Sequence, residues 1–162
     1  MYLDEQLEIL INEAPQHGVP SPVMEKAVAP TLKLFASQLQ YGKYYVLHGQ
    51  NRSWLVTTLS NRKKPQEEKR VIYAFATRRD AETFQGIVNP DIRIISIPVT
   101  HLLFQLFSVE YIDSIIFRET PGNKEQQIEI QRDKLHNIIQ QQLRRLKLTI
   151  PAKLTNIPPN LA

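Results

Sequence analysis

The chain has 162 residues, of which 42% are hydrophobic and 22% charged, and its net charge is +4. These values are typical of one globular domain and argue against an extensively disordered chain. Because cysteine is absent, disulfides, thiolate nucleophiles, iron–sulfur clusters and cysteine-ligated zinc are excluded.

The N-terminal sequence MYLDEQLEILINEAPQ is acidic and amphipathic, unlike a secretory signal peptide. No apolar run in the chain reaches the length that a membrane span needs. We therefore expect a cytoplasmic protein without membrane insertion.

Two helices are predicted at the N-terminal end. The apolar residues of 2–14 recur at helical spacing and predict an amphipathic helix that ends at Pro15. Ser21 followed by Pro22 predicts the start of a second helix, because the Ser oxygen can accept an orphan amide proton. Pro30 lacks an amide proton, so the second helix should kink or restart there.

The next stretch predicts strands. Residues 43–48 and 53–59 are rich in aromatic and β-branched side chains, and the GQNR segment between them suits a hairpin turn. Residues 61–70, NRKKPQEEKR, are polar and predict an exposed loop. A third strand is predicted over 71–76.

A helix is predicted after the third strand, because Thr77 and Asp80 resemble a capping box. Its core-facing residues are expected to be Ala81, Phe84 and Ile87 or Val88.

The rest of the chain alternates strands and helices. Residues 91–97 predict a fourth strand, Thr100 can cap a leucine-rich helix, and residues 112–117 predict a fifth strand. Residues 124–147 predict one long helix. The Pro-containing tail, 151–162, lacks a periodic pattern.

The predicted order of elements is ααβββαβαβα. It indicates an α/β fold of the α+β type, with a mixed five-stranded sheet and helices packed on it. Residues 1–150 should form a single domain, followed by the C-terminal tail.

The layout of VIYAFATRRDAETFQG, IRIISIPVTHLLFQLF and YIDSIIF resembles the SseB-type N-terminal domain over roughly residues 43–118. The family's Asn-Pro near its final strand is missing, since Asn89 and Pro90 precede a strand here. The resemblance implies a non-enzymatic interaction module and transfers no functional residue. It depends on Phe75, Thr77, Ala81, Leu102 and Leu103.

The motifs of common enzymes are missing from the sequence. The five glycines are isolated, which argues against a phosphate-binding loop, and no G-x-S-x-G elbow occurs. The four histidines show no metal-binding spacing, so we expect no metal and no cofactor. His48, His101 and Asp113 are candidates for a site dispersed over several segments, although each also suits an ordinary structural position.

Basic residues concentrate in two segments, with net charges of +6 over 43–80 and +5 over 132–162. Such clusters attract phosphate backbones, and Tyr44, Tyr45 and Trp54 can in principle stack on bases. Cations at a helix C-terminus also complement the helix dipole. The candidate polyanion-binding residues are Arg62, Lys63, Lys64, Lys69, Arg70, Arg78, Arg79, Arg144, Arg145 and Lys147.

The predicted C-terminal helix carries an apolar stripe beside a glutamine-rich flank. Packing on its own sheet is the ordinary use of such a stripe. A long helix can also pair with a protein partner, including a second copy of the chain. The candidate partner-binding residues are Ile128, Leu135, Ile139 and Leu146.

The sequence thus predicts a non-enzymatic protein-interaction or regulatory module. The alternative is a nucleic-acid-binding protein that uses the basic segments 62–79 and 144–153.

Overall fold

The computed structural model describes residues 2–51, 53–61, 63–86, 89–120 and 126–150. It contains a mixed six-stranded sheet with helices packed on it, which confirms the predicted α+β class. The elements follow the order ααβββαβαββα, so the structure contains one strand more than the sequence predicts.

The two N-terminal helices are present. Helix α1 (Leu3–Glu13) continues into a 3₁₀ turn (Ala14–His17), and Gly18 ends it with a left-handed φ of 79°. At the position where a kink or restart was expected, the helix changes type, because a π-helical segment ends at Val28 and α-helix resumes at Ala29, next to Pro30. Helix α2 (21–36) consists of Ser21–Val23, the π-helical Met24–Val28 and Ala29–Ala36.

The strands lie in the order β4-β1-β3-β5-β6, with β2 paired to β3 beside this path. The β3–β5 pair is parallel, and the other pairs are antiparallel. Strands β4 and β6 therefore form the two ends of the path. The strands are β1 (Lys43–His48), β2 (Thr57–Asn61), β3 (Lys64–Phe75), β4 (Arg93–Pro98), β5 (Ser114–Arg118) and β6 (Gln127–Gln131).

The two faces of the sheet are covered unequally. The remaining helices are α3 (Arg78–Gln85), α4 (Val99–Ser108) and α5 (Arg132–Leu146). Helices α1, α2, α4 and α5 enclose the larger core. Helix α4 is buried on all sides over 99–107, as expected of a helix that is apolar nearly all round. Helix α3 packs on the other face, over a small core of Leu47, Phe75 and Ala81.

The predicted hairpin between 43–48 and 53–59 forms only next to its turn. A bridge joins His48 to Trp54, and the Leu55 amide donates to the Leu47 carbonyl at 2.9 Å. From Thr57 onward the second segment is β2, which pairs with β3 instead of β1. The predicted loop 61–70 is largely the first half of the 12-residue strand β3. Its polar side chains were misleading, because strand pairing satisfies the backbone whether or not the side chains are buried.

The predicted helix over 124–147 is also wrong in its first part. Residues 127–131 form β6, and the helix begins only at Arg132. Ile128 and Ile130 pack toward the core while their neighbours are polar, which is the period of a strand.

Of the two threonines predicted to cap helices, one does so and the other does not. Thr77 caps α3 as predicted, because its Oγ1 accepts from the Asp80 amide at 3.1 Å. Thr100 does not cap α4, which begins at Val99. Its hydroxyl instead donates to Gln6 Oε1 at 2.7 Å.

Of the expected core residues of α3, Ala81 is buried but Phe84 is 39% exposed. Phe84 lies against Tyr73 and Phe75 at ring-centroid distances of 5.0 and 5.1 Å. The Arg118 guanidinium lies 5.4 Å from the Phe84 ring, so this edge of the small core is closed by a cation. The predictions for Ile87, Val88 and the tail 151–162 fall outside the described residues.

Candidate functional site

The three residues considered for a dispersed site occupy structural positions. His48 and His101 are 1% and 2% exposed, and neither lines a groove described below. Burial lowers the pKa of His48 from 6.5 to about 4, so this side chain is neutral at pH 7. Asp113 Oδ2 accepts from the Arg70 amide at 2.7 Å, which fastens the start of β5 to β3.

Several candidate polyanion-binding residues already pair with carboxylates. Lys64 lies 3.7 Å from Glu67, Arg70 lies 3.9 Å from Asp113 and Arg78 lies 3.5 Å from Glu82, while Lys69 pairs with Glu129. Lys63 is exposed, and Arg62 falls outside the described residues. Four of the candidate residues are exposed and form no ion pair within the described part of the chain: Arg79, Arg144, Arg145 and Lys147.

The apolar stripe proposed for partner binding does not form a surface. Ile128 lies on β6 rather than on a helix, and Leu135 and Ile139 are fully buried in the chain's own core. Only Leu146, at 41% exposed, reaches solvent. The stripe is therefore the ordinary core face of α5, and it is inaccessible to a partner in the folded chain.

Strand β4 offers a more accessible feature, which is a free backbone edge. The Val99 amide donates to the Gly42 carbonyl at 2.9 Å, and the strand register places Lys43 opposite Pro98. Because bonded and non-bonded pairs alternate along antiparallel strands, the backbone groups of Ile94 and Ser96 point away from β1. No strand among the described residues pairs with them.

The first of two grooves lies at the C-terminal end of β4. We call it the tyrosine groove, because Tyr2, Tyr41 and Tyr45 line it together with Lys43 and Ser96. Its volume is about 830 Å³, within the range of ligand-binding clefts. Tyr45 and Ser96 are directly opposed across β1 and β4, so both project on the α3 face of the sheet.

Gln6 fastens three elements at the base of the tyrosine groove. Its side-chain amide donates to the Gly42 carbonyl at 2.8 Å, and its Oε1 accepts from the Thr100 amide at 3.1 Å. The Thr100 hydroxyl donates to the same oxygen. Helix α1, the start of β1 and the start of α4 are thereby held in one arrangement, and this end of the groove is preformed.

A buried Tyr–Glu pair holds the segment that carries Tyr41. The Tyr44 hydroxyl donates to Glu119 Oε1 at 2.5 Å, and the Gln40 amide donates to Glu119 Oε2 at 2.7 Å. Burial, and then the hydrogen bond to Glu119, raise the pKa of Tyr44 well above its usual value of 10. Tyr44 therefore stays a neutral donor, which is what the 8% exposed carboxylate needs.

The second groove lies between α3 and the other end of β4. We call it the arginine groove, because Arg78, Glu82 and Gln85 line one wall and Arg93 and Ile94 the other. Its volume is about 620 Å³. The Arg78 Nη1 donates to the outward Ile94 carbonyl at 3.5 Å, in agreement with the edge geometry. Gln85 Nε2 is buried and has no hydrogen-bond partner among the described residues.

Sequence reasoning missed this edge and both grooves. The apolar residues of β4 lie on both faces of the strand, and helices cover each face. A pattern of side chains does not show whether a strand has one neighbour or two. The isolated Tyr2 and Tyr41 also gave no signal, because the fold alone brings them to Tyr45.

The chain matches no protein-family model and none of the curated proteins. The resemblance to the SseB-type N-terminal domain therefore stays a prediction. Within the described ranges, no group of histidine and carboxylate side chains is arranged to hold a metal ion. The same ranges contain no helix with both the length and the apolar character needed to cross a bilayer.

Proposed function

We propose that this chain is a non-enzymatic protein-interaction module that binds an extended segment of a partner protein along the free edge of β4. The observation that carries the proposal is the outward-facing backbone of Ile94 and Ser96, flanked by a groove at each end. Strand addition to such an edge is a recurring mode of peptide recognition, in which backbone bonds supply affinity and pockets supply specificity.

The length of the edge suits a short segment. Strand β4 has 6 residues, which extend over about 20 Å. Pro98 has no amide proton, so the edge offers donors only at Ile94 and Ser96 in its central part. An antiparallel partner can exchange two backbone hydrogen bonds with each of these residues, once it displaces the Arg78 guanidinium from the Ile94 carbonyl.

The nucleic-acid alternative is supported by fewer groups than the sequence suggested. Lys64, Lys69, Arg70 and Arg78 each lie beside a carboxylate, which reduces the charge available to phosphates. Arg144 and Arg145 occupy the last turn of α5, where cations stabilise the helix end. If the alternative were correct, Arg144→Gln with Arg145→Gln would lower salt-dependent retention on a polyanion column, whereas the β4 variants described next would not.

The test of the proposal removes one backbone donor from the edge. Ser96→Pro deletes an amide proton that points away from β1, and Ser96→Ala is the matched variant that keeps it. Gln127→Pro is a second control, because the Gln127 amide points outward at the opposite edge of the sheet. Random heptapeptides displayed on phage are selected on the wild-type chain, and the enriched peptides are then measured against each variant.

We expect the enriched peptides to bind the Ser96→Pro variant at least about tenfold more weakly, and the two controls within about twofold of wild type. Hydrogen exchange of the wild-type chain is an independent readout, in which bound peptide should protect the Ile94 and Ser96 amides. Failure to enrich any peptide overturns the proposal. Peptides that bind all variants equally and leave both amides unprotected overturn it as well.

A further inference from the structure

The tyrosine groove lies over the smallest side chain that β4 carries on the α3 face of the sheet. Alternate residues of β4 share this face, and they are Ile94, Ser96 and Pro98. Ser96 therefore leaves a gap between two larger side chains, and Tyr45 borders the gap on the β1 side. The opposite side of the gap is the free edge of β4, so a bound segment closes it.

A bound segment places one side chain beside this gap. Directly opposed residues of neighbouring strands project on the same face, so the segment residue opposite Ser96 points to the α3 face in either strand direction. Two strand spacings, about 10 Å, separate the backbone of that residue from the backbone of Tyr45. A short side chain cannot contact Tyr45 over this distance, whereas a long one can lean over Ser96 and meet the ring.

The rings that border the groove favour a flat apolar side chain. Tyr2, Tyr41 and Tyr45 line it, and Tyr2 is 81% exposed, so its ring is otherwise in water. Contact between aromatic rings adds to the stabilisation that comes from buried area alone. The hydrogen bonds of Gln6 hold this end of the groove in place, so an incoming ring enters a preformed space.

Clusters of tyrosines also attract cations, and Lys43 argues against that use of the groove. Lys43 lines the groove, is exposed and forms no ion pair within the described ranges. No carboxylate is among the described residues that line the groove. The Lys43 ammonium group therefore repels a second cation, whereas an uncharged ring carries no charge for it to repel.

We infer that the segment residue opposite Ser96 is aromatic, and that its ring packs in the tyrosine groove against Tyr45 and Tyr2. This inference rests on the proposed function. It adds a side-chain preference to the backbone pairing, which by itself does not distinguish one sequence from another. Aliphatic and cationic residues at the same position bind more weakly, the first because they lack a ring and the second because of Lys43.

The probe is the synthetic peptide acetyl-Thr-Thr-Thr-Phe-Thr-Thr-Thr-amide, in which threonine supplies strand propensity. The order of its side chains is the same in both directions, so the ring can lie opposite Ser96 whichever way the segment runs. Three matched peptides carry leucine, alanine or lysine in place of the phenylalanine. Titration of the full chain, followed through the amide resonances of Ile94 and Ser96, gives the dissociation constant of each peptide.

We expect the phenylalanine peptide to bind about fivefold more tightly than the leucine peptide. It should bind at least about tenfold more tightly than the alanine and lysine peptides. Tyr2→Ala should weaken the phenylalanine peptide about fivefold and change the alanine peptide by less than about twofold. Tyr111→Ala is the matched control, since Tyr111 is 45% exposed and does not line the groove.

Two further variants test the gap and the cation separately. Ser96→Val fills the gap but keeps the amide, so it should weaken the phenylalanine peptide about fivefold and the alanine peptide by less than about twofold. Ser96→Ala leaves the gap open and should change neither. Lys43→Gln should tighten the lysine peptide about threefold without changing the phenylalanine peptide.

The failures of the two proposals are distinguishable. If selected peptides require the Ser96 amide but the leucine or lysine peptide binds as tightly as the phenylalanine peptide, strand addition holds and the aromatic preference is overturned. Absence of binding by the phenylalanine peptide, or equal losses with Tyr2→Ala and Tyr111→Ala, overturns the preference too. If no peptide of any sequence depends on the Ser96 amide, both proposals are overturned.

Discussion

The two end strands of the path β4-β1-β3-β5-β6 differ in what they offer to another chain. Strand β6 exposes the backbone of Gln127, Glu129 and Gln131, and their polar side chains lie on the α3 face. Glu129 accepts from Ser114 and pairs with Lys69, so a charge is held in the middle of that edge. Charges at this position discourage edge-to-edge pairing.

Strand β4 has the opposite character. Its central residues are Ile94, Ile95, Ser96 and Ile97, its charged residue lies at one end, and a groove flanks each half. An edge that is not blocked by an internal charge is an aggregation risk unless it has a use. The comparison teaches that the chain protects one edge and leaves the other accessible, and the following predictions test that difference.

The largest expected effect is a loss of stability in acid at the β4 side. His48 lies opposite Arg93 of β4, and its ring nitrogens have no hydrogen-bond partner within the described ranges. In the unfolded chain His48 takes up a proton below pH 6.5, whereas burial in the folded chain lowers the pKa of His48 to about 4. Acidification through this window therefore favours unfolding, by about 3 kcal/mol at its lower end.

Denaturant unfolding of wild type and His48→Leu between pH 7 and pH 4 measures this effect. The free energy of unfolding should fall with pH in the wild type, and the variant should lose most of this pH dependence. Glu129 supplies the comparison at β6. Burial alone would raise its pKa, but hydrogen bonds from Lys69 and Ser114 and the Lys69 charge hold the pKa below 4.5. Its contribution is therefore lost only in stronger acid. Hydrogen exchange at falling pH gives the comparison between the two strands. If the amides of β4 stay protected to as low a pH as those of β6, the prediction is contradicted.

The next effect concerns the anchor of the tyrosine groove. Tyr44→Phe removes the donor to Glu119 Oε1 and leaves a buried carboxylate oxygen without that bond. We expect the free energy of unfolding to fall by about 2 kcal/mol. Tyr41→Phe is the matched control, and a loss of under about 0.5 kcal/mol is expected there. Equal losses in both variants would show that the Tyr44–Glu119 pair is not the anchor.

The smallest expected effect is on self-association through the exposed edge of β6. Glu129→Val removes the central charge and adds a β-branched apolar side chain, so self-association should strengthen by about fivefold. Sedimentation at several concentrations measures this change. The same replacement at Glu8, exposed on α1, should leave the association constant at its wild-type value. If Glu129→Val sediments as wild type does, the carboxylate is not what protects this edge.

Local patterns in the sequence predicted much of the fold. The spacing of apolar residues located α1, the Thr77 cap located α3, and β-branched runs located β1, β4 and β5. These signals succeed because helix and strand periods and cap chemistry involve neighbours in sequence. The failures at 61–70 and 127–131 have a common cause, since strand pairing involves backbone groups whose partners are distant along the chain.

The candidate site was predicted less well. The apolar stripe with Leu135 and Ile139 was recognised as apolar, but periodicity cannot tell a core face from a docking face, and burial shows it to be core. The basic residues were recognised as charged, but the carboxylates beside Lys69 and Arg70 come from β6 and from the start of β5. The number of basic residues in the sequence therefore overestimated the positive charge that the folded surface presents.

The sequence by itself determined the α+β class, the positions of most elements and the absence of cysteine chemistry, because each depends on composition or on short-range periodicity. Only the tertiary structure decided that β4 and β6 are edges, that Tyr2, Tyr41 and Tyr45 meet, and that Arg78 lies beside Ile94. The physical reason is that an edge is defined by the neighbour a strand lacks, and a groove by residues from separate elements. Neither property is carried by any one segment of the chain.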